Sequence, residues 1–283
     1  MKSIAWVTDS TSTLNPDFAK DNHVYIIPLR LIAGNECFKE NVEITAEQFY
    51  EMMRQHERVG SSQPPIGEFI ELYESLKEKY DHIIAIHCSS ELSGTFNTSM
   101  QAAEIAGAPV TGIDSKAGAY PLREMIMSGV HWQQMGCTVK EIKERIEQMI
   151  HNMSFYMLPA SLTQLHRSGR VSGSQLVLSQ LLRIHLLLRF DGGKVYVEEK
   201  IRTFKKTKQK LLDILKKDVE LIKDVCIMHA NNVEEARKLD EEIKDMAPAL
   251  RTEIMPFIPV AGLHAGEGTL ALAWIRNHPA ALT

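Results

Sequence analysis

The chain has 283 residues, 44% hydrophobic and 24% charged, with 32 Lys and Arg against 36 Asp and Glu for a formal net charge of -4. That length suits one large domain or two ordinary ones with cores that need no disulfide or structural metal. The charge balance speaks against bulk nucleic-acid binding and polybasic membrane attachment.

The opening apolar run, Ile4 to Val7, is too short for a signal peptide, and no run approaches the ~20 apolar residues of a spanning helix. The expectation is a cytoplasmic protein without integral membrane association. Cys37, Cys88, Cys137 and Cys226 are widely spaced, which suggests neither a zinc site nor a disulfide framework.

Ile4 to Val7 reads as a strand entering the polar loop Thr8-Asp9-Ser10-Thr11. Asn15-Pro16 marks a helix start, and Val24 to Ile32, rich in branched residues, reads as a second strand. Gly34-Asn35 is a turn, and Thr45-x-x-Gln48 is a capping box for a helix to about His56. Ser61-Ser62-Gln63-Pro64-Pro65 reads as a loop before a helix with Phe69, Leu72, Tyr73 and Leu76 on one face.

Ile83 to Ile86 has the unbroken apolar character of a buried parallel strand. It exits into Ser89-Ser90-Glu91-Leu92-Ser93-Gly94-Thr95, and a helix follows to about Ala106. Val110 to Ile113 is the next strand, ending in Asp114-Ser115, and helices follow over roughly Pro121 to Met135 and from Thr138 to about Asn152. Strands alternating with helices predict a mostly parallel sheet. Ligands of such sheets bind at the carboxyl ends of the strands, where these Ser, Thr and Asp residues lie.

The second half differs. Phe155 to Leu158 reads as a strand, with Leu162 and Leu165 on a helix that ends at Gly169 and a second helix after Ser172. Asp191-Gly192-Gly193 joins a hairpin, a Lys-rich helix follows, and then come the strand Cys226 to His229 and a helix from about Val233 to Met246. Gly262 to Gly268 reads as a glycine-rich loop. The predicted fold is therefore α/β with two domains: residues 1–152 with a mostly parallel βαβ sheet, and residues 153–283 as α+β with a mixed sheet.

Standard phosphate-loop, dinucleotide, nucleophile-elbow and zinc-protease motifs are missing. Ser93, Gly94 and Thr95 lie where unpaired N–H groups of a helix start could take an anion, although Ser93 could simply cap that helix. Ser61 and Ser62 read more readily as a cap, but two hydroxyls at one sheet edge could converge on a carboxylate or phosphate. His264, among three glycines, could bond an anion or move a proton, or be inert. Arg170 could clamp an oxyanion or be a surface residue at a helix end. The run Lys200, Arg202, Lys205, Lys206, Lys208 and Lys210 reads as a solvated face or a docking surface for an acidic partner. The apolar stretch Leu176 to Leu188 is either core or the wall of a hydrophobic tunnel.

Together, and in this order, Thr8-Asp9-Ser10-Thr11, Ser61-Ser62-Gln63-Pro64, Leu92-Ser93-Gly94-Thr95, Asp114-Ser115, Gly169-Arg170-Val171-Ser172, Asp191-Gly192-Gly193-Lys194 and Gly262-x-His264-x-Gly266-x-Gly268 resemble the DegV family. The resemblance implies two α/β domains with a long-chain fatty acid between them. It implies a carrier rather than an enzyme, with no cofactor beyond the bound acid. Its partner would be a separate fatty acid kinase that phosphorylates the carboxylate for phospholipid synthesis. Carried over by position, Ser61, Ser93 and Gly94 would hold the carboxylate with His264 beside it, and Arg170 and Arg202 would belong to the kinase-facing surface.

The sequence departs from the family pattern in places. Ser61 stands where Thr is usual, Pro65 replaces a small polar residue, and Ser168 replaces Gly. The usual H-T-G-P-G reads His264-Ala265-Gly266-Glu267-Gly268, and Glu267 would repel an anionic head group unless it faces solvent or is paired. Two alternatives remain at this level. One is an enzyme using His264 as acid/base and Arg170 as oxyanion clamp. The other is a lipid-responsive regulatory protein docking through the Lys200 to Lys210 run.

Overall fold

A computed structural model describes residues 3–56, 58–171 and 184–278. The chain divides into two compact units, residues 1–150 and 151–283.

The first unit begins with β1 (Ile4–Asp9), a single 3-10 turn (Ser10–Ser12), α1 (Pro16–Asp21) and β2 (Val24–Ile27). Then come β3 (Arg30–Ala33), β4 (Glu36–Lys39), α2 (Ala46–Gln55), β5 (Val59–Ser62) and α3 (Ile66–Lys77). It continues with β6 (His82–His87), α4 (Thr95–Ala106), β7 (Val110–Asp114), α5 (Ala119–Gln134) and α6 (Val139–Asn152). The order β2-β1-β6-β7 forms an all-parallel sheet, as the alternating pattern requires. On one face, Ala5, Val7, Ile83 and Ala85 pack with Phe69, Tyr73 and Leu76 of α3 and Ala102, Ala103 and Ala106 of α4. On the other face Trp6 lies so close to α5 that a β-carbon on Gly129 would meet its ring at 2.3 Å. The Trp6 indole N–H donates to Gln133 at 2.6 Å.

The predicted strand Val24 to Ile32 is two strands in two sheets. Pro28 interrupts it, since proline brings no N–H to a ladder. After it, β3 pairs antiparallel with β4 and β5 in a separate three-stranded sheet. Ser61 and Ser62 are correspondingly strand residues rather than loop, opposite Leu31 and Arg30. They do not cap α3, whose cap position is Pro65 and carries no side-chain capping bond. The Thr45–Gln48 capping box forms as expected.

The second unit contains β8 (Met153–Leu158), α7 (Leu162–Ser168), β9 (His185–Asp191), β10 (Lys194–Ile201) and α8 (Phe204–Asp218). These are followed by β11 (Asp224–His229), α9 (Val233–Met246), β12 (Arg251–Pro256), α10 (Pro259–Ala265) and β13 (Leu270–Ile275). Its sheet, ordered β10-β9-β8-β13-β11-β12, is mixed: β11 and β12 run parallel and the other pairs antiparallel. Leu211, Leu212 and Leu215 of α8 and Leu239 and Ile243 of α9 cover one face, against Leu158, Leu187, Ile227, Leu272 and Trp274. The hairpin turns at Gly192 and Gly193, both at positive φ, as the Asp-Gly-Gly signal predicts. The expected helix after Ser172 lies outside the described residues, as does most of the Leu176 to Leu188 stretch. Its end, Leu186 to Leu188, is buried strand.

Candidate functional site

In the parallel sheet, β1 leads to β2 on one side, while β6 lies on its other side and leads on to β7. The reversal between β1 and β6 makes the carboxyl ends of these two strands the topological switch point, where an open α/β sheet binds ligands. The residues there are almost all polar and buried: Thr8 to Ser12, His87, Ser89, Thr95, Ser99 and Ser115.

Asp9 organises this edge. Its Oδ1 accepts from the Thr11 backbone N–H at 3.0 Å and from the Thr11 hydroxyl at 2.5 Å. Its Oδ2 accepts from the Cys88 N–H at 2.9 Å and pairs with His87 Nδ1 at 3.1 Å. Burial alone would raise the pKa of Asp9, but the hydrogen bond and charge of His87, with the bonds from Thr11 and Cys88, hold it below the ordinary value. On the far side of the imidazole, Nε2 lies 2.8 Å from the Ser99 hydroxyl, itself 2.5 Å from the Tyr73 hydroxyl.

This Ser–His–Asp arrangement resembles a hydrolase triad, but all three side chains are buried and Ser99 is already engaged by Tyr73. It is a structural tie rather than an exposed nucleophile. Burial, reinforced by the charge of Asp9, keeps the Cys88 thiol well above its ordinary pKa, against the opposing hydrogen bonds of Thr95 and Ser93. Cys88 is therefore a neutral thiol linking the end of β6 to the start of α4.

Ser93, Gly94 and Thr95 stand where α4 begins. The cap position is Gly94, which has no side chain to satisfy the first N–H groups of this 12-residue helix. Ser93 Oγ lies 2.8 Å from Thr95 Oγ1 and only 3.4 Å from the Thr95 N–H, a long contact for a cap. Gln63 reaches the same place: a β-carbon on Gly94 would lie 2.8 Å from its Oε1, and its Nε2 is 3.4 Å from Thr98 Oγ1. The structure thus brings the Ser61 to Gln63 segment and the Ser93 to Thr95 segment together. Hydroxyls and helix-start donors meet there at a sheet edge suited to an anion.

In the second unit, His264 belongs to the short helix α10 rather than to a loop, and the glycines beyond it serve packing. Gly266 has φ +98, and a β-carbon there would meet the Ser161 backbone nitrogen at 2.8 Å. The Ser161 N–H in turn donates to the Ala265 carbonyl at 3.1 Å, which joins α10 to the start of α7. Burial, and then the charge of Arg170, push His264 down to about 4, so the imidazole is neutral at neutral pH. His264 and Arg170, far apart in sequence, are therefore electrostatic neighbours. Arg170 also donates to the Ser168 carbonyl.

Glu267 accepts from Asn231 Nδ2 at 2.6 Å, so its acid is tied to the loop after β11. Arg202 is exposed just past the end of β10, whereas Val171 bridges Val195 near the start of that strand. Arg170 and Arg202 thus flank opposite ends of β10, about 20 Å apart at ~3.3 Å per residue, rather than forming one compact cluster.

Of the basic run, Lys208 pairs with Glu242 at 2.7 Å and Lys210 with Glu199 at 2.8 Å, while Lys205 and Lys206 are exposed. Among the described residues, no group of His, Cys, Asp and Glu could hold a metal ion and no helix is long and apolar enough to cross a membrane. Sequence reasoning missed Asp9, His87 and Ser99 as a unit, and Gln63 as the contact between the two serine segments.

A family model described as uncharacterised protein, DegV family, matches residues 3–277. A DegV domain-containing protein of Halalkalibacterium halodurans is 33% identical over 279 residues, covering 97% of this chain and 99% of that one. Protein DegV of Bacillus subtilis is 33% identical over 283 residues, 96% of this chain and 99% of that one. The crystal structure of DegV, a fatty acid binding protein from Bacillus subtilis, superposes with a TM-score of 0.88 at 31% identity, covering 98% of this chain and 100% of that one. A fatty-acid-binding DegV family protein from Thermus thermophilus gives 0.87 at 25% identity, covering 97% and 99%. Taken with the sheet orders and the residues at their edges, these matches show that the chain belongs to the DegV family.

Proposed function

We propose that this protein binds a long-chain fatty acid and presents its carboxylate to a separate kinase, which forms the acyl phosphate. The observation that carries the binding reading is the meeting of Gln63 with Gly94, which puts two serine-bearing segments beside the uncapped start of α4. The fatty-acid-binding relatives from Bacillus subtilis and Thermus thermophilus support it.

Ser61, Ser93 and Gly94 are the proposed carboxylate partners, with His264 contributing a neutral imidazole N–H. The head group gains less than the tail, on the order of one or two charge-assisted hydrogen bonds, because these donors replace water. The tail supplies the affinity: about 14 methylenes at ~0.8 kcal/mol each give on the order of 11 kcal/mol, less the several kcal/mol that association costs.

The kinase half of the proposal rests on what phosphoryl transfer needs, nucleotide phosphates and Mg²⁺ held in place, set against a chain without a phosphate-loop motif. We assign Arg170 and Arg202 to the kinase-facing surface; their placement at opposite ends of β10 would make that surface broad.

The test is native mass spectrometry of the purified chain followed by lipid extraction, on the wild type and on a Ser61→Ala, Ser93→Ala double variant. One fatty acid per wild-type chain and a depleted double variant are expected. A chain that is empty and stays empty after incubation with fatty acids of varied length overturns the binding reading. An unchanged lipid content in the double variant overturns the head-group assignment. Acyl phosphate made from the bound acid by an added bacterial fatty acid kinase tests the presentation step, and Arg170→Ala and Arg202→Ala should each slow it.

A further inference from the structure

Asp9 and Ser10 are neighbours at the end of β1, and each is tied to a different one of the two serine-bearing segments. Asp9 accepts from the Cys88 N–H, and the Cys88 thiol hydrogen-bonds Ser93 and Thr95. Through His87 Nδ1 it also holds an imidazole that reaches Ser99, one turn into the helix that Thr95 begins. His87 Nδ1 pairs with Asp9, Nε2 with the Ser99 hydroxyl, and that hydroxyl with the Tyr73 hydroxyl. Tyr73 lies on α3, so the chain of bonds ties β1, β6, α3 and α4 together.

Ser10 is tied the other way. Its hydroxyl donates to Glu40 Oε2 at 2.6 Å and accepts from the Leu29 N–H at 3.0 Å. Leu29 precedes β3 directly, and Glu40 follows β4 and is fully buried. β3 pairs with β5 in the register that sets Leu31 opposite Ser61. Ser10 therefore fixes the three-stranded sheet that carries Ser61 against the end of β1, while Asp9 fixes the segment that carries Ser93.

We propose that Asp9 and Ser10 are positioning residues that together set the separation between Ser61 and Ser93, and so the fit of the site to a carboxylate. The proposal rests on the fatty-acid reading above. It assigns a role in head-group discrimination to residues outside the proposed carboxylate partners Ser61, Ser93 and Gly94.

The experiment compares hexadecanoic acid with 1-hexadecanol, whose tail is the same length but whose head carries no charge. Binding of each is measured by calorimetry on the delipidated full chain, for the wild type and for Ser10→Ala, Ser10→Thr and Ser99→Ala. Circular dichroism melts accompany each protein. A positioning role predicts that Ser10→Ala loses about tenfold in affinity for the acid, the scale of one charge-assisted hydrogen bond, with alcohol binding nearly unchanged. Ser10→Thr, which keeps the hydroxyl, restores the acid, and Ser99→Ala, which removes a link without touching Asp9, repeats the loss in a folded protein.

Equal losses for acid and alcohol would mean general loosening and overturn the proposal. So would a folded Ser10→Ala or Ser99→Ala protein that keeps the wild-type preference for the acid. A wild type that binds neither compound overturns the fatty-acid reading itself and this inference with it, an outcome distinct from a wild type that discriminates and variants that discriminate equally well.

Discussion

The carboxamide of Gln63 lies over Gly94, so close that a β-carbon there would sit 2.8 Å from Oε1 and 2.9 Å from Nε2. Gly94 has φ -71 and ψ -1, a backbone conformation open to any residue. A Gly94→Ala substitution therefore costs the fold little, about 1 kcal/mol or less for the poorer cap, because the flexible end of Gln63 can move aside. Its effect falls on the site. Thermal unfolding should shift by only a few degrees while affinity for a fatty acid drops, and calorimetry on one preparation reads both. An unchanged affinity would separate Gln63 from the head-group site.

His264 should titrate near 4 in the ligand-free protein, followed through its ring-proton resonances. Two causes hold it there, burial and then Arg170, so Arg170→Gln should move it part of the way back towards 6.5. A bound carboxylate beside it would push it up as well, because an anion favours the imidazolium.

The stability consequence follows from the sign of that shift. The folded imidazole binds a proton more weakly than the unfolded one, so the unfolded state takes protons first as pH falls. Stability is lost between about pH 6.5 and 4, on the order of 3 kcal/mol at 1.36 kcal/mol per pKa unit. Denaturant melts across that range should show the loss in the wild type and a flatter profile in His264→Gln.

Asp9 gives the complementary case. Its folded pKa is depressed, so its contribution is fully present above the unfolded carboxylate value near 4 and fades as pH drops through the folded value. Replacing it with Asn keeps the shape but turns an amide N–H either towards the Cys88 N–H and His87 Nδ1 or towards the Thr11 N–H, so one donor faces another. The loss should be about 3–5 kcal/mol, the scale seen on breaking a buried charged pair. Urea unfolding at neutral pH measures it, and a loss below ~1 kcal/mol would mean the network relaxes around the amide.

Gly266→Ala should destabilise the second unit by about 1–3 kcal/mol from backbone strain alone, since φ +98 suits only glycine. The clash with the Ser161 backbone nitrogen adds to this, because main chain cannot swing away as Gln63 can. Gly60→Ala is the control, for a β-carbon there meets nothing within 4 Å. The two melts, side by side, measure how much of the packing between α10 and α7 depends on Gly266.

The parallel sheet was legible because Ile83 to Ile86 is an unbroken apolar run and because each such run exits into hydroxyl-bearing residues. The three-stranded sheet was not legible. Its members are four residues long, β4 is largely exposed and β5 contains Gly60, so no alternation emerges. Ser93 and Gly94 could be singled out by position before a helix. His264 is singled out by its glycines but reads as a loop residue, because glycines in and beside a short helix look the same in sequence as glycines of a loop.

The Asp9 network stayed hidden for a different reason. Asp9 and His87 are 78 residues apart, and nothing local marks His87 as other than the last residue of an apolar strand. A buried run that ends in His-Cys-Ser was the one available signal.

The bond from Cys88 N–H to Asp9 spans 79 positions of the chain. During synthesis, β1 leaves the ribosome long before β6, so for several seconds at typical elongation rates the Asp9 carboxylate has neither His87 nor Cys88 to receive. Burying that charge early would be costly. The first strand must therefore wait in water until the second arrives, and this polar edge cannot set before His87 and Cys88 have been made. Truncated nascent chains ending before His87 should accordingly be sensitive to protease at β1, and chains extended past α4 resistant.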